Sequence, residues 1–115
     1  MADIQESIAG HTARNAALLA DLRLRGVDLS RPQSVEHHFW AASQKSAAFL
    51  AKRLYELGYL ILVISPTDEQ GSKVWNVEAG IQRTLADAGS EAVTEDLVRL
   101  AAQFDAIYDG WGANV

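Results

Sequence analysis

From Val35 to Ala42 the chain alternates: Val35, His37, Phe39 and Ala41 would share one face of a strand, and Glu36, His38, Trp40 and Ala42 the other. The period then changes. Between Lys45 and Leu57 the apolar positions Ala47, Leu50, Ala51, Leu54 and Leu57 recur at helical spacing, with Lys45, Lys52 and Glu56 on the other side, which predicts an amphipathic helix closed by Gly58. Tyr59 to Ile64 is an unbroken apolar run rich in β-branched residues and predicts a second strand. A strand, a crossover helix and a strand lay that helix over one face of a sheet, so the rest of the chain must complete the sheet or its helical layer.

Upstream, Thr12 to Arg25 reads as a helix with Leu18, Leu19 and Leu22 on one side, Thr12 as its cap and Gly26 as its stop. Gly10 and His11 interrupt that pattern, which leaves open whether Ile4 and Ile8 belong to it; residues 1–11 are assigned as a mobile N-terminus of a single domain, 1–115. Pro32 marks the loop into the first strand. Ser65 to Ser72 is a polar connection punctuated by Pro66 and Gly71, so the second and third strands should form an antiparallel hairpin. The third strand sets Trp75, Val77, Ala79 and Ile81 against Asn76, Glu78, Gly80 and Gln82. After a loop at Asp87 to Ser90, Thr94 is expected to cap a helix with Glu95 and Asp96 in its first turn and Leu97, Leu100, Ala101 and Phe104 on its buried stripe. The turn-rich end, Tyr108 to Val115, leaves room for a short last strand.

This order is that of a ferredoxin-like sandwich, an α+β fold whose antiparallel sheet carries helices on one face, with an extra N-terminal helix. In that arrangement the second strand lies at an edge, yet it is apolar on both faces. It calls for cover from the leading helix, or for pairing with another subunit in a homo-oligomer.

Composition narrows the function more than the fold. The 115 residues, 49% hydrophobic and 22% charged, suit one globular domain. No cysteine is present, which removes disulfides, thiolate catalysis and cysteine-based zinc or iron–sulfur sites. The N-terminus shows no basic region followed by an apolar stretch, and the run from Tyr59 to Ile64 is too short for a bilayer, so a soluble cytoplasmic protein with no membrane partner is expected. The net charge of −5 disfavours direct binding of nucleic acid and suits a basic protein partner.

Candidate chemistry is sparse. His37 and His38 point to opposite faces of a strand and would not ligate one ion, so His37 is expected in the core with a backbone or carboxylate partner, and His38 in solvent. No serine elbow or phosphate-binding loop occurs, and Asp109-Gly-Trp-Gly112 lacks the lysine and the strand-to-helix setting of a nucleotide site. Glu95 with Asp96 suits a helix dipole, and Asp105 with Asp109 suits solvent, better than acid–base work. No catalytic, metal or cofactor site is assigned. Trp40, sharing a strand face with Glu36 and His38, is the candidate interface anchor.

Gly26-Val-Asp-Leu followed by Arg31-Pro, then Val35-Glu-His-His-Phe39, Leu57-Gly-Tyr59, a Trp in the next strand and the terminal Tyr108-Asp-Gly-Trp-Gly112 together resemble the RraB family of bacterial regulators of ribonuclease E activity. The resemblance spans Leu22 to Gly112, and the closing motif is its most specific part. It implies a ferredoxin-like fold and a non-enzymatic regulator that binds the non-catalytic scaffold region of ribonuclease E, or another degradosome component, and inhibits or modulates its activity, altering degradosome composition and messenger decay. The motif residues Tyr108, Asp109, Gly110, Trp111 and Gly112 then either contact that partner or lock the C-terminus onto the sheet, with Asp109-Gly110 as a turn, Trp111 as an anchor and Gly112 allowing close approach. The alternative is a small-ligand-binding or oligomeric α+β module of unrelated role.

Overall fold

The alternating segment became the second strand from one edge of a four-stranded antiparallel sheet. A computed structural model describes residues 3–69 and 72–114. Its elements are α1 (Ile4–Leu24), β1 (Pro32–Ala41), α2 (Gln44–Glu56), β2 (Leu60–Glu69), β3 (Ser72–Thr84), α3 (Leu85–Ala88), α4 (Glu91–Gln103) and β4 (Ala106–Ala113). The sheet order is β2-β3-β1-β4. Without α1 and the short α3, the order β-α-β-β-α-β is that of a split βαβ unit, and the α+β class read from the sequence is what the structure has.

The two strand periods segregate as expected. Val35, His37, Phe39 and Ala41 of β1 are all at most 1% exposed, and Val77 and Ala79 of β3 are fully buried. Phe39, Ala41, Val77 and Ala79 meet Ala47, Leu50 and Leu54 of α2 and Leu97, Leu100 and Ala101 of α4 in one core. Leu22, Leu29, Val35, Leu85 and Ala88 form a second cluster, with Leu19 and Trp111 packed against it. Leu57, expected on the buried stripe, is instead the C-cap of α2 and is 46% exposed. Ser43 caps the start of that helix, and Gly58 at φ 100° turns the chain into β2.

Several boundaries differ from the sequence reading. α1 starts at Ile4 with Asp3 as its cap, so residues 4–11, assigned as a mobile lead-in, supply its first turns; Thr12 lies inside the helix and caps nothing. α4 begins one turn earlier than expected, capped by Ser90, while Thr94 is fully buried and donates its hydroxyl to the Ser90 carbonyl at 2.7 Å. The loop expected at Asp87 to Ser90 starts inside a short helix, α3, which is capped by Thr84. β2 and β3 run on through the polar stretch, so that Pro66 pairs with Trp75 inside the hairpin. An edge strand can hold a proline because the N–H that proline lacks is not needed by a neighbour on the open side. The last strand is eight residues long. Gln70 and Gly71, expected in the connecting turn, lie outside the described residues.

β2 is an edge strand, as expected, but α1 does not cover it. α1 lies against α4 and β4 instead, and Leu60, Leu62 and Ile64 remain 65%, 44% and 44% exposed. Its attachment is apolar at Ile8 and Leu22 and polar between them. Asn15, 6% exposed, donates to Thr94 Oγ1 of α4 at 3.1 Å and accepts from Trp111 Nε1 of β4 at 3.0 Å. Asn15→Ala would leave the indole N–H without its acceptor, and we expect a loss of about 1–2 kcal/mol after the gain in helix propensity. The urea midpoint should fall at constant m-value; an unchanged midpoint would show that Asn15 holds nothing together.

Candidate functional site

The helices cover one face of the sheet and leave the other open. On the open face, His38 of β1 lies opposite Glu78 of β3, with its Nδ1 at 3.3 Å from the Glu78 carboxylate and its Nε2 at 3.9 Å from that of Glu36. Three glycines surround this group: Gly80 faces Glu36 across the β1–β3 ladder, and Gly110 and Gly112 face His38 and Glu36 across the β1–β4 ladder. No side chain therefore rises beside the imidazole on the β4 side, and a Cβ at Gly112 would come to 3.9 Å from its Nε2. Over Gly80 lies Leu62, whose Cδ1 would be 3.2 Å from a Cβ at that position. The result is a shallow acidic trough bordered by aliphatic groups.

Trp40 stands at the end of this trough, half-buried and opposite Asn76 and Ile107. It lines an apolar cavity of about 470 Å³ together with Ile4 of α1, Val74 of β3, and Ala102 and Ile107. The cavity's acidic group is Asp105, held at φ 55°, whose carbonyl accepts from Ala42 N–H at 3.1 Å. Asp is among the few residues that take up such a backbone without large cost. The basic residues of the strands, Lys73 and Arg83, fall on the opposite face by alternation, so the open face carries carboxylates and an imidazole without a lysine or arginine at any described strand position.

The structure separates the sequence-derived candidates into two groups. Glu36, His38 and Trp40 share the open face, joined by Glu78 and Ile107, which sequence reasoning did not single out; the alternation of β3 does put Glu78 on this face once register is known. Tyr108 and Trp111 belong to the covered face. Tyr108 is 2% exposed, and its hydroxyl lies 2.8 Å from His37 Nδ1. Trp111 is pinned to Asn15. Asp109 and Gly110, expected as a turn, instead form a bulge within β4: Tyr108 pairs with Phe39 and Gly110 with His38, leaving Asp109 as the extra residue. Gly110 has φ 107°, a conformation that side chains oppose, and this bulge keeps Tyr108 and Trp111 both directed at the helices.

His37 is in the core as expected, but its partners are neither backbone nor carboxylate. Arg83 Nη1 is 3.4 Å from Nε2, and because a guanidinium only donates, the proton belongs on Nδ1, which donates to the Tyr108 hydroxyl. Burial first, then the charges of Arg83 and His38, push the His37 pKa down to about 3. Burial likewise raises that of Tyr108. On α1, His11 accepts from Arg14 at Nδ1 and donates from Nε2 to the Tyr108 carbonyl at 3.0 Å, and burial lowers its pKa. Neither imidazole is exposed for proton transfer, and both serve to hold β4. Among the described residues no helix is long and apolar enough to cross a membrane.

A family model described as regulator of ribonuclease activity B matches residues 12–113. A regulator of ribonuclease activity B from Photobacterium profundum is 31% identical over 102 residues, covering 84% of this chain and 72% of the relative. The match takes in the open face, the bulge and the closing aromatic motif alike, and the chain belongs to the RraB family, the regulators of ribonuclease activity B.

Proposed function

We propose that this chain is a cytoplasmic, non-enzymatic regulator that restrains ribonuclease E by binding its non-catalytic scaffold region, and that it does so with the open face of the sheet. The observation that carries this reading is the pairing of an acidic trough, Glu36, His38 and Glu78, with an apolar cavity walled by Trp40. A basic segment with one large apolar side chain would satisfy both: its cations meet the carboxylates, and the apolar group fills the cavity and is desolvated there. Aromatic anchors in such pockets dominate binding energy, while the charges mainly set encounter rate and register.

The test is binding of the purified chain to ribonuclease E scaffold, with a pull-down from nuclease-treated lysate of the native host as its cellular counterpart. Trp40→Ala is expected to weaken binding about 10- to 100-fold, as truncation of a central aromatic anchor does. Glu78→Lys should slow association and reduce its salt dependence. Full retention of binding by a folded Trp40→Ala/Glu78→Lys double variant would remove the open face from the reading. Failure of the wild type to bind any ribonuclease component at near-physiological salt would remove ribonuclease E itself.

A further inference from the structure

On the covered side, a cavity of about 520 Å³ opens between α2 and α4 above the start of β2 and the end of β3. Arg53, Arg83 and Arg99 line it, against one acidic side chain, Asp96. Arg83 forms its base. Its Nη2 donates to the Tyr59 hydroxyl at 3.0 Å, its Nη1 reaches His37, and its guanidinium lies 5.5 Å from the centre of the Tyr59 ring. Tyr59 is 7% exposed and Arg83 half-buried, and among the described residues no carboxylate stands within ion-pair distance of Arg83. A partly desolvated cation with only uncharged acceptors calls for a counter-ion from outside. The other two arginines hold only surface partners, Arg53 with Glu56 at 3.7 Å and Arg99 with Glu95 at 3.0 Å, pairs weak enough to be exchanged for a ligand.

We propose that this pocket binds the phosphate group of a small organic phosphate monoester, with Arg83 as its deep contact and Arg53 and Arg99 closing over it. Of the three guanidiniums only Arg83 has no carboxylate partner among the described residues; a doubly charged phosphate can meet it together with Arg53 and Arg99 in exchange for their surface pairs with Glu56 and Glu95, which a single carboxylate does less well. Guanidinium forks match phosphate oxygens in geometry as well as charge. Bare phosphate would leave most of the volume empty, and the walls contributed by Leu57, Ile81, Leu97 and Leu100 provide apolar surface for an organic body. The site faces away from the trough of Glu36 and His38, so the proposal does not rest on the ribonuclease reading.

Phenyl phosphate, inorganic phosphate and phenol separate these contributions when titrated into the full chain at constant ionic strength, followed by amide and arginine Nε NMR signals. Saturable shifts centred on Tyr59, Arg83 and Leu97 are expected with phenyl phosphate, about tenfold weaker binding with inorganic phosphate, and none with phenol. Arg53→Ala/Arg99→Ala, at the exposed rim where folding is not at stake, should weaken phenyl phosphate binding about tenfold or more. Asp96→Asn should tighten it several-fold, a gain that no unfolded variant can imitate. The proposal is overturned if phenol shifts the same signals as strongly as phenyl phosphate, or if the rim variants and Asp96→Asn all bind as the wild type does.

Discussion

Acidification from pH 6.5 towards pH 3 is expected to cost the folded protein on the order of 5 kcal/mol through His37 alone. The ordinary histidine value near 6.5 applies to the unfolded chain, whereas in the fold His37 titrates at about 3 because it is buried and faces Arg83 and His38. Between those two values the unfolded state carries a proton that the native state refuses. The contribution is therefore fully present above pH 6.5, erodes as pH falls through the window, and is gone near pH 3. His11, also lowered by burial, adds to the loss with the same sign. Urea unfolding at pH 7.5, 6 and 5 should show stability falling by up to about 1.4 kcal/mol per pH unit from His37, a slope that His37→Gln removes while the smaller His11 contribution remains. The upper part of the window precedes most carboxylate protonation, which keeps the source identifiable. Equal slopes in the wild type and in His37→Gln would mean that the buried imidazole is already charged in the native protein, against the geometry that surrounds it.

The sheet was legible because its residues obey one rule each. In the middle of β1 and β3 every second residue is apolar or small, His37 excepted, and those residues are the ones found under the helices. α2 was legible for the same reason. α1 was legible from Thr12 onward but not in its first turns or in its buried face, since its buried positions Ile8, His11, Asn15 and Leu22 include two polar side chains, which apolar periodicity counts as solvent-facing. Both are buried because each reaches a specific partner on β4, information that is absent from local sequence. Thr94 misled in the opposite direction: a residue of good capping type is used in the interior of α4 to bond Asn15, and Ser90 caps instead. Strand lengths were underestimated where polar residues continue a ladder beyond the apolar core, as Ser65 to Asp68 do.

The candidate site was half legible. Alternation placed Glu36, His38 and Trp40 together, but which residues stand beside them depends on register, and two of the three ladders shift: one between Ile61 and Val63, the other between His38 and Phe39. The second shift decides the meaning of the closing motif. Without the bulge at Asp109, strict alternation would send Tyr108 and Trp111 to opposite faces; with it both turn to the helices. Charge is distributed by the same register. Lys73 and Arg83 project from the covered side, and the open face is left acidic, so a chain of net charge −5 presents one acidic surface and one arginine-lined pocket, not a uniform field.

Tyr108→Ala is expected to lower stability by about 3–5 kcal/mol, a large share of the roughly 5–15 kcal/mol typical of a domain. The ring stands 5.3 Å from Phe39 and 5.0 Å from His11, so its removal opens a cavity where β4, β1 and α1 meet, and the loss of its hydroxyl leaves the His37 Nδ1–H unpaired. Tyr108→Phe isolates the second effect, keeping the packing while orphaning that N–H, at about 1–3 kcal/mol. Trp40→Ala should behave in the reverse way: its side chain is half-buried at a cavity that already exists and open to solvent there, so stability should change by no more than about 1 kcal/mol while partner binding falls. Denaturation and binding measured on the same three variants test the division. A Tyr108→Phe protein as stable as the wild type would deny the hydrogen bond to His37, and a folded Tyr108→Phe that loses the partner as completely as Trp40→Ala would mean that the closing motif reaches the partner after all. If instead stability follows Tyr108 and binding follows Trp40, the two ends of the Phe39–Tyr108 and Trp40–Ile107 rungs do different work: one face of β1 and β4 closes the fold, and the other is free to meet a partner.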